Sequence, residues 1–92
     1  MVLSTGINRI RTAVFISGTG SNLKSLIKFS KTKLSPISIK FVVSNNSKAK
    51  GLNYAKKFKI KKKVLNFKNK KLSENYLLSI LKKNNIEMIC LA

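Results

Sequence analysis

The sequence predicts an α/β fold: an open parallel sheet of about four strands with helices on both faces. Three observations carry this expectation. Short β-rich apolar runs alternate with stretches of helical spacing along the chain. The first apolar run passes through a glycine-bearing turn straight into a helix, Val14 to Ile27, "VFISGTGSNLKSLI". No internal repeat or flexible linker interrupts the 92 residues, a length that suits one small domain.

The elements follow in order. Thr12 to Ser17, "TAVFIS", is a continuous apolar run ending at a glycine, as a buried parallel strand would be. Asn22 to about Ser30 places Leu23, Leu26 and Ile27 on one face and Lys24 and Lys28 off it, the spacing of an amphipathic helix. Pro36 marks a connection, and Ile37 to Ser44, "ISIKFVVS", is the second strand. "NNSK" is a turn. Ala49 to Phe58 reads as a helix with Leu52, Ala55 and Phe58 inward, although Gly51 weakens its start. Lys63 to Phe67 is a short strand. Asn69 caps a third helix running to about Lys83, with Tyr76, Leu77, Ile80 and Leu81 as its buried stripe. Asn84 and Asn85 stop it, and Glu87 to Leu91 is the fourth strand. This β-α-β-α-β-α-β order is Rossmann-like, and the fold is expected to be truncated after the fourth strand. Residues 1–11 read as an extension without an assigned role, and residues 12–92 as the folded part. The outer edge of the fourth strand is expected to lack its next neighbour, an invitation to aggregation.

Composition narrows the chemistry. There is no histidine, and Cys90 is the one cysteine. The chain therefore offers no His-ligated or cysteine-cluster metal site, no histidine base and no internal disulfide. No run is long enough to span a bilayer, and no signal peptide is visible at the start. A cytoplasmic protein with no membrane partner is expected. The net charge is +18, from 20 basic residues against Glu74 and Glu87. Such a balance attracts polyanions. It also follows from AT-rich coding, which favours lysine, asparagine and isoleucine alike. The lysines look spread over solvent faces, and no nucleic-acid-binding motif is present, so a nucleic-acid partner is not expected.

Three phosphate loops can be laid over "SGTGSNLKS". The dinucleotide fingerprint G-x-G-x-x-G matches at Gly18 and Gly20 and fails at Leu23. No carboxylate follows the second strand to hold a ribose. The P-loop pattern matches at Gly18, Lys24 and Ser25, fails again at Leu23, and lacks a carboxylate placed to order Mg²⁺. A monophosphate cradle fits best. A helix N-terminus has unpaired N–H groups and a positive dipole end. Gly20 allows close backbone approach, Ser21 supplies a hydroxyl, and Asn22 an amide. A plain strand-to-helix turn with Ser21 as N-cap accounts for the same residues.

The stretch resembles the opening of the phosphoribosylglycinamide formyltransferase family, with its S-G-x-G-S-N-L/M loop at Ser17, Gly18, Gly20, Ser21, Asn22 and Leu23. "VVSNNSKAKGLNYAKKFKI" is similar to that family's V-x-S-N-x-x-x-A-x-G-L-x-x-A, and "EMICLA" to its strand ending in L-A. The resemblance runs from about Ala13 to Ala92. It implies that residues 12–92 are the nucleotide-phosphate-binding part of a formyltransferase domain. It further implies transfer of a formyl group from 10-formyltetrahydrofolate to the amine of glycinamide ribonucleotide, in purine biosynthesis. The loop residues Gly20, Ser21 and Asn22 would grip the 5′-phosphate, and Lys70 would border the folate site where the family usually has arginine. Lysine lacks the planar fork of arginine. The family's catalytic asparagine, histidine and aspartate fall downstream of Ala92. The 92 residues alone are therefore expected to be inactive, with a C-terminal half as the missing partner. The phosphate-gripping loop argues against a formyltetrahydrofolate deformylase. The alternative from another class is a small basic phosphate- or nucleic-acid-binding module.

Overall fold

The structure, a computed structural model, describes residues 9–16, 21–65 and 70–92. These form β1 (Ile10–Ile16), α1 (Ser21–Ser30), β2 (Ile37–Ser44), α2 (Gly51–Lys57), β3 (Lys61–Val64), α3 (Lys70–Lys83) and β4 (Met88–Leu91). All strand pairings are parallel, in the order β3-β2-β1-β4. The predicted alternation and the parallel sheet are therefore both present.

The sheet separates two apolar layers. On one face, Val14 and Ile16 of β1 and Ile37, Ile39 and Val42 of β2 pack against Leu23 and Ile27 of α1 and Leu52 and Ala55 of α2. On the other, Ala13, Phe41 and Val43 pack with Leu77, Ile80 and Leu81 of α3. Leu23, Ile27, Val14 and Val42 are fully buried, and each such side chain contributes about 1.5–3 kcal/mol by leaving water. The two layers require alternation along each strand. In β2 the alternation slips once. Thr12 pairs with Ile39, but Ala13 pairs with Phe41, so Lys40 is an extra residue in the ladder.

Two boundaries differ from expectation for the same reason. β1 starts at Ile10, two residues before the apolar run, and β3 starts at Lys61 rather than Lys63. Charged residues break an apolar run in sequence, yet pair normally where their side chains reach solvent. Arg11 is half-buried at the strand's start, its Nε donating to the Asn84 carbonyl at 3.0 Å. Lys61 and Lys62 stand exposed on an outer strand. The end predicted for β3, at residues 66 and 67, lies outside the described residues, as does the Asn69 cap.

Helix ends explain two further differences. α2 begins at Gly51, because Ala49 is held in a turn by its N–H bond to the Asn46 carbonyl at 3.0 Å. α2 and α3 terminate alike. The Ile60 N–H reaches back to the Ala55 carbonyl at 2.8 Å across Lys59, and the Ile86 N–H to the Leu81 carbonyl at 2.9 Å across Asn85. Lys59 and Asn85 carry the positive φ, 57° and 53°, that this termination needs. Of the stripe predicted on α3, Leu77, Ile80 and Leu81 face the sheet, with Ser73 buried a turn earlier. Tyr76 does not join them: it is 46 % exposed and lies beside β3, under the Lys63 ammonium.

Arg9, within the segment given no role from sequence, closes the end of α1. Its guanidinium donates to the carbonyls of Ser30 (3.1 Å), Thr32 (3.3 Å) and Lys33 (3.1 Å). A cation there also opposes the negative end of the helix dipole. Among the described residues, no helix is long and apolar enough to cross a membrane.

Candidate ligand site at the carboxyl ends of the strands

The chain winds outward from β1 through β2 to β3, then returns by α3 to place β4 on the other side of β1. The direction of winding therefore reverses between β1 and β4. In open parallel sheets the crevice outside the carboxyl ends of the strands at such a reversal is the ordinary ligand site. A concavity of about 310 Å³ lies there, lined by Phe15 and Ile16 from β1, Val43, Ser44 and Asn45 from the end of β2, and Leu91 and Ala92 from the end of β4.

Backbone and hydroxyl bonds fix its walls. The Ala92 N–H donates to the Phe15 carbonyl at 2.8 Å, joining the ends of β4 and β1. The Leu65 N–H donates to the Ser44 carbonyl at 2.8 Å, joining β3 to β2. The Ser44 hydroxyl donates to the Asn46 carbonyl at 3.1 Å and accepts the Asn46 N–H at 3.0 Å. The Asn46 side-chain oxygen accepts the Lys48 N–H at 2.9 Å. These bonds turn the chain sharply out of β2 and leave Asn45 on the rim.

The two described residues of the glycine loop's phosphate triad open α1. Ser21 and Asn22 are its first two residues, both exposed, and they follow the end of β1 on this same edge of the sheet. First-turn N–H groups have no partner within a helix, and the dipole there favours an anion. Ser21 is thus inside the helix rather than its cap. One turn on, the Lys24 ammonium lies 5.6 Å from the centre of the Tyr54 ring, bracing α1 against α2. Gly20, the third member, lies outside the described residues, as do Ser17 and Gly18. Lys70 is the first residue of α3. That helix also starts at the carboxyl edge, beyond β3, so the structure places the starts of both helices on the ligand side. Phe15, Ser44, Asn45 and Leu91 were not singled out from sequence. The rule that places ligands at strand ends could have found them, since each sits at or next to a strand's last residue. Among the described residues, no group of three or more His, Cys, Asp or Glu side chains could hold a metal ion.

Fold and site together define a Rossmann-like α/β domain with a concavity at its switch point and an anion-compatible helix start on the same edge of the sheet. The formyl transferase family pattern matches residues 10–92, and the chain belongs to that family. It is 36% identical over 87 residues to the human trifunctional purine biosynthetic protein adenosine-3, covering 91% of this chain and 9% of that protein. Among solved structures, it resembles the phosphoribosylglycinamide formyltransferase of Anaplasma phagocytophilum with a TM-score of 0.81 and 36% identity, over 92% of this chain and 40% of that one. The corresponding enzyme of Brucella melitensis gives a TM-score of 0.85 at 33% identity, over 91% and 45%. The chain thus spans less than half of these solved relatives.

Proposed function

We propose that this chain is the ribonucleotide-holding part of a phosphoribosylglycinamide formyltransferase. The observation that supports it most is the start of α1. Ser21 and Asn22 stand exposed at the N-terminus of the helix that follows β1, on the sheet edge that carries the switch-point concavity. Gly20, the Ser21 hydroxyl and the Asn22 amide would hold the 5′-phosphate of glycinamide ribonucleotide. Its amine end would extend along the ends of β1 and β4. Lys70 would border the site of 10-formyltetrahydrofolate, the formyl donor. The asparagine, histidine and aspartate that would promote attack of the amine on the formyl carbon are supplied outside these 92 residues, in a C-terminal half. The setting is the cytoplasm. The chain by itself binds the ribonucleotide and does not transfer the formyl group, because it has no histidine to move the amine proton.

The test is calorimetric titration of the protein with glycinamide ribonucleotide. Saturable binding that ribose 5-phosphate competes away is expected. Gly20→Val, which puts a side chain where the phosphate would approach the backbone, abolishes it, and Asn22→Ala weakens it about tenfold, the loss of a charge-assisted hydrogen bond. Unchanged affinity in Gly20→Val would overturn the reading.

A further inference from the structure

Seven of the 20 basic residues line two concavities that meet at β3. This strand is the outer strand of the described sheet on its side and carries Lys61, Lys62 and Lys63 in succession. A concavity of about 350 Å³ at the amino end of the sheet is lined by Arg11, Lys31, Lys40, Lys59 and Lys61, with Phe58 among them. A second, also of about 350 Å³, runs between β3 and α3 and is lined by Lys61, Lys63 and Lys83, with Tyr76 and Ser79. Lys61 and Asn84 line both, so the two concavities, one on each face of the sheet, adjoin at the start of β3 and together make a basic track around that edge. Neither is lined by a carboxylate.

Aromatic faces lie within this charge. The Lys63 ammonium is 5.1 Å from the centre of the Tyr76 ring, and the Lys31 ammonium 5.7 Å from that of Phe58. Tyr76 is half exposed although it belongs to a helix that packs on the sheet. Lysines on an outer strand also guard it against pairing with another chain. That role needs only the strand's own residues. It does not call for Arg11, Lys31, Lys40 and Lys83, which four other segments bring to the same track.

We propose that this track is a second binding surface, and that its ligand is the backbone of a single-stranded RNA. A line of cations with an exposed aromatic ring, Tyr76, beside it is an arrangement that can follow a flexible phosphodiester chain and stack a base. The surface lies away from the start of α1 and does not depend on the ribonucleotide reading.

The test is fluorescence anisotropy of a labelled 20-nucleotide uridine RNA titrated with the purified protein at several salt concentrations. Three variants are compared. The first, Lys61→Gln/Lys63→Gln/Lys83→Gln, removes three of the seven charges that line the track. The second, Lys28→Gln/Lys33→Gln/Lys50→Gln, removes the same charge from exposed positions elsewhere. The third replaces the track lysines by arginine, which keeps their charge. The first variant is expected to lose about tenfold or more in affinity, and its salt slope to fall by about 2, three contacts at about 0.7 each. The second changes affinity less than threefold, and the arginine variant binds like the parent. Tyr76→Leu loses several-fold through stacking. Equal losses in the first two variants would overturn the proposal, as would unchanged binding in Tyr76→Leu. Equally effective competition by polyglutamate would overturn it in favour of an acidic protein partner.

Discussion

Arg11 and Glu87 hold each other reciprocally at the start of the β1–β4 pair. The Glu87 N–H donates to the Arg11 carbonyl at 2.7 Å, and the Arg11 N–H donates to the Glu87 carboxylate oxygen Oε1 at 3.1 Å. One of the two acidic side chains in the sequence thus completes the ladder at the point where β4 joins the sheet.

Replacing Glu87 should therefore loosen β4 in particular. Glu87→Ala is expected to cost about 0.5–1.5 kcal/mol, the range for a hydrogen bond whose partner stays near water. Glu87→Gln keeps an oxygen acceptor and should cost less. Urea unfolding midpoints give the stability. Amide exchange shows whether the loss is local, with faster exchange expected at residues 88–91. Equal acceleration in β2 would show that the pair does not anchor β4 specifically.

Much of this architecture was legible in the sequence because apolar runs carried it. β2 is found at Ile37–Ser44 as expected, since its apolar residues fill both layers. The helix stripes at Leu23 and Ile27, and at Leu52 and Ala55, were equally plain. What the sequence hid is polar and non-local. The start of β3 was obscured because an outer strand can carry lysines. Arg9 looked idle because the carbonyls it caps are more than twenty positions away. At the candidate site, the phosphate-loop motif pointed to the carboxyl edge of the sheet, whereas the walls at Phe15, Ser44 and Leu91 came together only through strand order. That order, with β4 beside β1, is set by the α3 crossover and leaves no local mark.

The two αL residues offer a stability test with opposite signs. Lys59 (φ 57°) and Asn85 (φ 53°) end α2 and α3 with the same backbone bond. A lysine there strains its Cβ against the following carbonyl, whereas glycine has no such strain and asparagine tolerates the region. Lys59→Gly is expected to raise stability by about 0.5–1 kcal/mol. Asn85→Gly should be nearly neutral, and Asn85→Val destabilising by about 1–2 kcal/mol. Thermal melts of the three variants check the order. A lower melting temperature for Lys59→Gly would contradict it.

β4 presents an apolar side that the described residues do not cover. Ile89 is 46% and Leu91 84% exposed, both on the α3 face of the sheet, and β4 pairs with β1 alone among the described strands. An exposed apolar outer strand promotes edge-to-edge association. Ile89→Lys is expected to reduce self-association of the purified protein, with a stability change within about 1 kcal/mol. Static light scattering across a concentration series measures it. Scattering that rises identically in both proteins would locate the association elsewhere.

Deleting one residue from a central strand ordinarily turns every following side chain to the wrong face. Lys40 should be the exception. Ile39 and Phe41 already pair with neighbouring residues of β1, Thr12 and Ala13. Ile39 packs with the α1–α2 layer and Phe41 with the α3 layer. Closing the gap therefore leaves Ile37, Ile39 and Val42 on one face and Phe41 and Val43 on the other in simple alternation. The β2–β3 pairing begins at Phe41, after the extra residue, so that ladder is untouched. Deletion of Lys40 is expected to retain the fold, with a stability change below about 1 kcal/mol, the scale of a surface change that keeps the core intact. Deletion of Val42 removes a fully buried side chain and shifts Val43 and Ser44 against both neighbours, and should abolish folding. Circular dichroism and urea unfolding of the two deletions separate these outcomes. If the Lys40 deletion unfolds as the Val42 deletion does, the extra residue is needed for the curvature of the sheet, not merely accommodated by it.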